Sequence, residues 1–248
     1  MTGRFLACLA VLVFASLSCA ARSDARKAGT ITYQNLVPGG IGVGGVTSCV
    51  KGRTSQPGSR ETMAQMFAEA ILNSRADIPL MGADRVRSAV GADTYESTLD
   101  QFQGRGELSA STLDTLRAAL ADSVRYFVVA RVEKDNEYRD TVERDTDYDP
   151  KTDNSETFNT ATRTVEVGYR VYDLREGKLA WKVRQSDSEV EEAKAPTTST
   201  IFKPYTVAGM LETALSDDKG PEPGMPDAFR NLAGIFRTFA KTLPKPKK

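Results

Sequence analysis

The chain contains no histidine and only three cysteines among its 248 residues. The lack of histidine excludes Ser-His-Asp and Cys-His catalysis, imidazole metal ligands and the commonest general base. Cys8 and Cys19 lie within the first nineteen residues, so Cys49 is the lone thiol of the folded part and has no partner for an internal disulfide. We therefore expect no enzyme, no cofactor and no disulfide scaffold.

The chain also lacks an excess of charge of either sign. It has 33 basic and 33 acidic residues, which gives a formal net charge of zero. Proteins that bind nucleic acid through its phosphates need a basic surface, and nothing in the composition indicates one. We expect neither a nucleic acid nor a nucleotide as a partner.

The first eighteen residues have the layout of an export signal. Arg4 supplies a positive charge, residues 5–15 are almost uninterrupted apolar residues, and small residues follow. The apolar run is too short to be a transmembrane helix. Residues 1–18 are therefore predicted to be a signal peptide, and the protein is predicted to work outside the cytoplasm.

Ser18-Cys19 resembles the lipobox of bacterial lipoproteins. The resemblance implies that Cys19 carries lipid as the new N-terminus, and that Ala20 directs the protein to the periplasmic side of the outer membrane. The sequence departs from the pattern because Leu17 lies one place late and Ser16 occupies its position. Cleavage after Ala20 or Ala21, giving a soluble periplasmic or secreted protein, remains the alternative.

The first half of the mature chain predicts alternating helices and short strands. β-Branched and aromatic residues predict a strand at 30–36, and the glycines that follow predict a loop at 39–45. Apolar residues recur at helical spacing from Arg60 onward. Further predicted elements are a strand at 78–81, a helix from Ala83 to Val90, a helical turn at 95–102 and a helix opened by the capping box Ser111-Thr112-Leu113-Asp114.

The second half predicts the main strands. Residues 126–132 have apolar side chains on both parities, which indicates a central strand covered on both faces. Residues 163–185 predict a β-hairpin in which Trp181 lies on the buried face. Glu166 and Arg170 alternate with the apolar row of the same hairpin and are expected to face water.

This order of elements predicts an α+β fold, a mixed sheet with helices packed on it. The hairpin at 163–185 forms its centre, and an apolar stripe predicts a C-terminal amphipathic helix from Asp227 to Leu243. The predicted organisation is a signal peptide at 1–18, a tether at 19–29, an α+β domain at 30–192 with a polar loop between strands at 135–160, an irregular segment at 193–224, and the C-terminal helix and basic tail at 225–248.

Two short motifs match known binding patterns only in part. Residues 40–45 fit the spelling G-x-G-x-x-G, but no helix is predicted at the third glycine, so a phosphate cradle is not expected. The acidic residues of 145–156 match the ligand spacing of an EF-hand calcium loop, although Pro150 replaces the glycine of its sharp turn. These departures favour a solvated acidic loop, and a weak calcium site at Asp145, Asp147, Asp149, Asp153 and Glu156 is the alternative.

The sequence of the hairpin resembles that of a known periplasmic domain. Ile78-Pro79-Leu80 and the run from Val165 through Gly177 to Trp181 are similar to the domain shared by the curli-secretion lipoprotein (CsgG-like), the LpoB-type activator of a cell-wall synthase and the TolB amino-terminal domain. The resemblance covers roughly residues 30–190. Curli-secretion proteins insert hairpins into the outer membrane, but residues 134–160 and 184–194 here carry charges on both parities, which excludes that pore.

Together these features predict a non-enzymatic cell-envelope lipoprotein. We expect a protein-binding, assembly or accessory factor at the outer membrane, whose partners are envelope proteins and whose contact with the membrane is the lipid alone. The alternative is a soluble periplasmic domain that binds a ligand or calcium.

Overall fold

The computed structural model describes residues 22–26, 31–145, 155–195 and 221–246, with side chains for all of these except residues 22–26, Asp145 and Ser155. A six-stranded mixed sheet forms the centre of the molecule, in the order β1-β6-β5-β4-β2-β3. β2 pairs in parallel with β3 and β4, whereas the other pairs are antiparallel. The strands are β1 (Arg22–Arg26), β2 (Ile41–Ser48), β3 (Leu80–Met81), β4 (Tyr126–Asp145), β5 (Ser155–Asp173) and β6 (Lys178–Lys194).

Helices cover both faces of the sheet. They are α1 (Tyr33–Gly39), α2 (Ser59–Ser74), α3 (Ala83–Val90), α4 (Ala92–Arg105), α5 (Ala110–Leu120) and α6 (Ala228–Thr242). The predicted α+β class, the central hairpin and the C-terminal helix are confirmed. The helix predicted at Ala83–Val90 has the bounds of α3.

Two separate cores lie on the two faces of the sheet. α2 and α6 pack on the first face, where Phe67, Tyr169 and Phe239 form a ring cluster with centroids 4.2–5.5 Å apart. α3, α4 and α5 pack on the second face around Phe127 and Val129. Residues 126–132 are therefore a central strand covered on both faces, as their sequence predicted.

The hairpin is buried more completely than predicted. Trp181 lies in the first core as expected, with 7% of its surface exposed and its ring 5.7 Å from that of Phe239. The prediction that Arg170 and Glu166 face water is wrong: Arg170 is 5% exposed and the Glu166 side chain 14%. Glu107 and Glu133 lie beside Arg170, whereas Lys134 and Arg184 pair with the Glu166 carboxylate, and burial lowers the pKa of Arg170.

The start of the described chain also differs from prediction. The strand predicted at 30–36 is instead α1, because the Thr32 side chain accepts a hydrogen bond from the Asn35 amide at 3.3 Å and caps a helix. A strand lies earlier, within the predicted tether at 19–29: β1 pairs with β6 from Arg22 opposite Ser186 to Arg26 opposite Lys182. Edge strands of this kind leave little signal in sequence, since their residues are polar.

The glycine-rich segment predicted as a loop at 39–45 belongs largely to β2, a buried strand. A Cβ at Gly44 would lie 2.1 Å from Phe127 Cζ and 2.6 Å from Val129 Cγ1, so this position has room only for glycine. Gly45 has a φ of 122° at a bulge in the pairing with β4. These glycines let the strand approach the second core closely.

The helices of the second layer begin earlier than predicted. The helical turn at 95–102 is the middle of α4, and Ser109, not Ser111, caps α5 by accepting a hydrogen bond from the Thr112 amide at 3.2 Å. Glycines end α3 and α4, at Gly91 and Gly106 with φ of 86° and 71°.

The polar loop predicted at 135–160 is wrong for the described part of that range. β4 continues to Asp145 and β5 begins at Ser155, and the two strands pair up to the Asp145–Ser155 position. β6 likewise runs to Lys194, into the segment predicted as irregular at 193–224. Charged residues occupy these strands because they form cross-strand ion pairs on a solvated ribbon.

Candidate interaction surface

Three strands, β4, β5 and β6, extend beyond the ends of β1 and β2 and form what we call the arm. β2 pairs with β4 only as far as Val132, and β1 pairs with β6 only as far as Ser186. The arm therefore consists of residues 134–145, 155–166 and 187–194, which pair only with one another among the described strands. Alternating residues place its side chains on two opposite faces.

One face of the arm is covered by the chain that leads into α6. Arg139 forms an ion pair with Glu222 at 3.1 Å and donates to the Pro223 carbonyl at 3.1 Å. At the base of this face, Arg163 binds both carboxylate oxygens of Asp135, at 2.7 and 2.8 Å, and this pairing raises the pKa of the guanidinium. These contacts fix the arm to the first core.

The opposite face of the arm is open. Tyr138, Thr162 and Val190 lie side by side across the three strands, where Tyr138 is 61% exposed and Val190 is 51% exposed. The ion pairs of the described side chains on this face join one strand of the arm to another. The face is thus an apolar row on a sheet surface that no described helix covers.

Paired charges surround the apolar row. Arg144 binds Glu192 through two hydrogen bonds, Lys194 pairs with Glu156, and Lys134 pairs with Glu166 at 3.1 Å. The hydrogen bonds that Arg144 donates to Glu192 raise the pKa of Arg144. Because the charges neutralise one another, this face attracts neither a polyanion nor a polycation strongly.

The edges of the arm carry unpaired backbone groups. β4 beyond Val132 and β6 beyond Ser186 have no further strand beside them in the described part of the chain. Charged residues along both edges, such as Lys134, Glu143 and Glu191, disfavour uncontrolled pairing with other strands. The open face is therefore better suited to binding than the edges.

A separate cleft lies between α2 and the α3–α4 pair, beside β2 and β3. It has a cavity volume of about 540 Å³ and is lined by apolar atoms of Val46, Ala64, Ala68 and Leu99. Tyr95 borders it, and burial raises the pKa of this tyrosine to about 12. A cavity of this size is within the range of small-molecule sites.

Ion pairs close one side of the cleft. Glu96 forms ion pairs with Arg60 at 3.5 Å and with Arg87 at 3.3 Å, and Arg60 also pairs with Asp100 at 2.8 Å. The guanidinium groups of Arg60 and Arg87 are therefore neutralised by carboxylates, whereas Arg85, which also lines the cleft, forms no ion pair with a described residue. The cleft thus has an apolar floor, and ion pairs lie along its rim.

The structure brings together only part of the predicted acidic site. Asp147, Asp149 and Asp153 lie outside the described residues, and the side chain of Asp145 is not described. Glu156 forms an ion pair with Lys194. Within the described ranges, no group of three or more acidic, cysteine or histidine side chains is placed to hold a metal ion. The calcium loop remains a prediction.

Of Cys19 and Cys49, the structure describes only Cys49. Cys19 lies outside the described residues, so its lipidation also remains a prediction. Cys49 follows β2, is exposed, and its thiol donates to the Val132 carbonyl at 3.3 Å. None of the helices described here is long and apolar enough to cross a membrane.

Sequence reasoning missed the arm and its open face. Tyr138 and Val142 are four residues apart, as are Phe158 and Thr162, so each pair lies on one face if its segment is a strand. This shared face was a usable signal inside the charged segment. The many charges hid it, because they suggested a solvated loop.

No protein-family model matches the sequence, and no curated protein matches it either. The fold is similar to several solved structures. PelC from Paraburkholderia phytofirmans, described as a dodecamer, is 8% identical with a TM-score of 0.37, over 92% of this chain and 99% of that one.

Two further structures are similar at the same level. CT253, a hypothetical protein of Chlamydia trachomatis, is 13% identical with a TM-score of 0.39, over 81% of this chain and 92% of that one. The lipoprotein GNA1162 of Neisseria meningitidis is 17% identical with a TM-score of 0.31, over 71% of this chain and 94% of that one. Scores this low carry no functional argument, so function is argued from this chain's own residues.

Proposed function

We propose that the chain is a lipid-anchored, non-enzymatic protein of the cell envelope that binds another envelope protein through the open face of the arm. The observation that carries the proposal is the exposed row formed by Tyr138, Thr162 and Val190. The central part of the sheet is covered by helices on both faces, whereas this part displays apolar side chains to solvent.

The chemistry of the row favours a protein partner. Aromatic residues framed by paired charges are typical of the centre of a protein–protein interface, whereas nucleic acid binding needs unpaired basic residues. The lysines and arginines of this face are already paired with Glu156, Glu166 and Glu192. A folded protein surface can bury the row while leaving these ion pairs at a solvated rim.

The sequence supports the location. An export signal precedes Ser18-Cys19, whose resemblance to a lipobox implies an outer-membrane lipoprotein. The lack of histidine and of a catalytic cysteine site supports a non-enzymatic role. The partner, in this proposal, is a protein of the same compartment.

Site-specific photo-crosslinking in living cells tests the proposal. A photoreactive amino acid at position 138 should give a discrete crosslinked species, and the same residue at Ala118 on exposed α5 should give none. Val190→Asp, which charges the row without touching the core, should reduce the crosslink from position 138 at least several-fold. Equal crosslinking from positions 138 and 118, or no effect of Val190→Asp, would contradict the proposal.

The cleft supports a second candidate function, the binding of a small apolar ligand. Its volume of about 540 Å³ and its apolar lining are the observations in favour. Native mass spectrometry of protein purified from its own cells should then show a bound mass that Ala68→Trp, which fills the cleft, removes. An identical mass for parent and variant would exclude a tightly held ligand.

A further inference from the structure

A row of polar side chains continues the first core beneath α6. Along β6, Trp181 and Val183 are buried apolar residues of that core, and Gln185, Asp187 and Glu189 follow on the same face. Residues two apart on one strand face are about 6.5–7 Å apart, so their longer side chains can converge. We call Gln185, Asp187, Glu189 and Asn231 of α6 the polar cluster.

Several oxygen atoms of the polar cluster are buried without a partner. Gln185 is fully buried, and neither its carbonyl oxygen nor its amide nitrogen has a hydrogen-bond partner. Asn231 is 1% exposed; its Nδ2 donates to the Arg163 carbonyl at 3.1 Å, but its Oδ1 is unpaired. Glu189 Oε2 is likewise buried and unpaired. Orphaned polar atoms cost stability and are rare in folded proteins.

Asn231 is directed at the same place as the carboxylates. The residue whose carbonyl it binds, Arg163, is the β5 partner of Glu189. One turn further along α6, Gly234 lies over Asp187, since a Cβ there would be 2.9 Å from Asp187 Oδ2. A glycine inside a helix costs about 1 kcal/mol relative to alanine, so α6 gives up stability where it makes room for this carboxylate.

The carboxylates lack a matching positive charge. Asp187 accepts a hydrogen bond from the Ser188 amide at 3.0 Å and takes part in no ion pair with a described residue. Glu189 reaches only Arg230, at 3.7 Å, and Arg230 also pairs with Glu191. Arg163 is engaged by Asp135 and Glu137. Burial raises the pKa of both Asp187 and Glu189, as expected where a compensating cation is missing.

We propose that the polar cluster is a binding site for a calcium ion, held between β6 and the first half of α6. The donors are Asp187 and Glu189 carboxylates and the side-chain carbonyl oxygens of Gln185 and Asn231. One divalent cation would neutralise both carboxylates and give the orphaned oxygens a partner.

The donor set selects the kind of ion. Oxygen is the only donor, which favours hard cations over zinc or copper. Calcium accepts irregular arrangements of carboxylate and amide oxygens, whereas magnesium needs a near-ideal octahedron. Two carboxylates are few for a calcium site, so we expect a dissociation constant of about 10⁻⁴–10⁻³ M, as in extracellular modules. The Glu189 side chain, which is 32% exposed, provides the route from solvent.

Thermal unfolding of the mature protein at pH 7 tests the site. Calcium chloride at 10 mM should raise the unfolding midpoint by about 5–10 °C, because an ion that binds only the native state stabilises it. Magnesium chloride at 10 mM and potassium chloride of equal ionic strength should raise it much less. Terbium, a luminescent substitute for calcium, should show a longer luminescence lifetime under direct excitation when it binds, because the protein donors replace coordinated water.

Variants distinguish this site from other effects. Asp187→Asn with Glu189→Gln should abolish the calcium response and the longer terbium lifetime while raising the midpoint in EDTA, which shows that the variant folds. Gln185→Glu should increase the response. Glu192→Gln, on the opposite face of β6, and Asp147→Asn with Asp149→Asn, in the predicted acidic loop, should retain it. Failure of the parent to respond, or a response that survives Asp187→Asn with Glu189→Gln, would overturn the proposal.

Discussion

Trp181 and Tyr138 are aromatic residues of one sheet that lie in opposite environments. Trp181 is 7% exposed in the first core, and Tyr138 is 61% exposed on the arm. Truncation of a buried aromatic side chain typically costs about 3–5 kcal/mol. Trp181→Ala should therefore lower the free energy of unfolding by about that amount in urea titrations. Tyr138→Ala is the matched control and should change it by less than about 0.5 kcal/mol; equal effects would contradict the assigned faces.

Gly44 gives a second prediction at the scale of a residue. A methyl group there would meet Phe127 and Val129 at 2.1 and 2.6 Å, so Gly44→Ala must displace the second core. We expect a loss of about 1–3 kcal/mol or more in the free energy of unfolding, measured by chemical denaturation. Gly82→Ala is the control, because nothing lies within 4 Å of that position and its φ of −67° suits alanine. An unchanged free energy of unfolding for Gly44→Ala would contradict the placement of β2 against Phe127 and Val129.

The face of the sheet on which a side chain lies was predictable where the alternation of apolar residues within the hairpin determines it. Trp181 was assigned correctly because apolar residues alternate on both strands of the hairpin. Arg170 was assigned to water incorrectly, although its neighbours obey the same alternation. It lies beside Glu107 in the connection between α4 and α5, and this contact with a distant segment has no signature in the hairpin sequence.

At the scale of elements, amphipathic helices were the most predictable parts. α3 and α6 were found almost to the residue because their apolar stripes and terminal residues agree. The arm was not found, because cross-strand ion pairs such as Arg144–Glu192 stabilise strands whose composition is that of a loop. β2 was missed for the opposite reason: its glycines reflect close packing against Phe127, not a turn.

The contact of α6 with β6 should depend on pH. Burial raises the folded-state pKa of Asp187 above 3.8 and of Glu189 above 4.5, so the folded state binds protons more tightly than the unfolded one. These carboxylates lower the free energy of unfolding when they are ionised. As pH falls through their raised pKa values, they become protonated and this destabilisation disappears. In EDTA, the free energy of unfolding of the parent should therefore rise relative to that of Asp187→Asn with Glu189→Gln between pH 7 and pH 4.5.

The comparison with the double variant cancels other titrating groups. Asp77, whose pKa is lowered chiefly by its hydrogen bond to Arg75, destabilises the fold as pH falls in both proteins. Arg230 forms an ion pair with Glu189 at 3.7 Å in the parent. A difference between the proteins that does not change with pH would show that the two carboxylates are not desolvated.

For the whole molecule, the central prediction is the lipid on Cys19. Cys19→Ser should move the protein from the membrane fraction to the soluble periplasmic fraction, because a lipid-modified N-terminus is the proposed anchor. Fractionation and immunoblotting measure the change. Cys49→Ser, which alters an exposed thiol of the folded domain, is the control and should leave the protein with the membrane. An unchanged distribution of Cys19→Ser would exclude the lipid anchor.

If Cys19 carries lipid, β1 also sets how far the domain can lie from a bilayer. Only three residue steps separate Cys19 from Arg22, a span of about 10–11 Å at most, whereas a tether up to residue 29 would have reached more than three times as far. Arg22 pairs with Ser186, at the base of the arm, and the arm continues for eight residues, about 26 Å, beyond that point.

With lipid on Cys19, the membrane surface lies close to this base, and the helical core and the arm extend from it in opposite directions. Neither can enter the hydrocarbon, since both carry charged surfaces. The long strands β4, β5 and β6 are then expected to lie nearly parallel to the membrane plane, with the attachment point near the middle of β6. Any protein that binds the open face of the arm would meet it at the headgroup level, and must itself reside at, or extend down to, the same membrane.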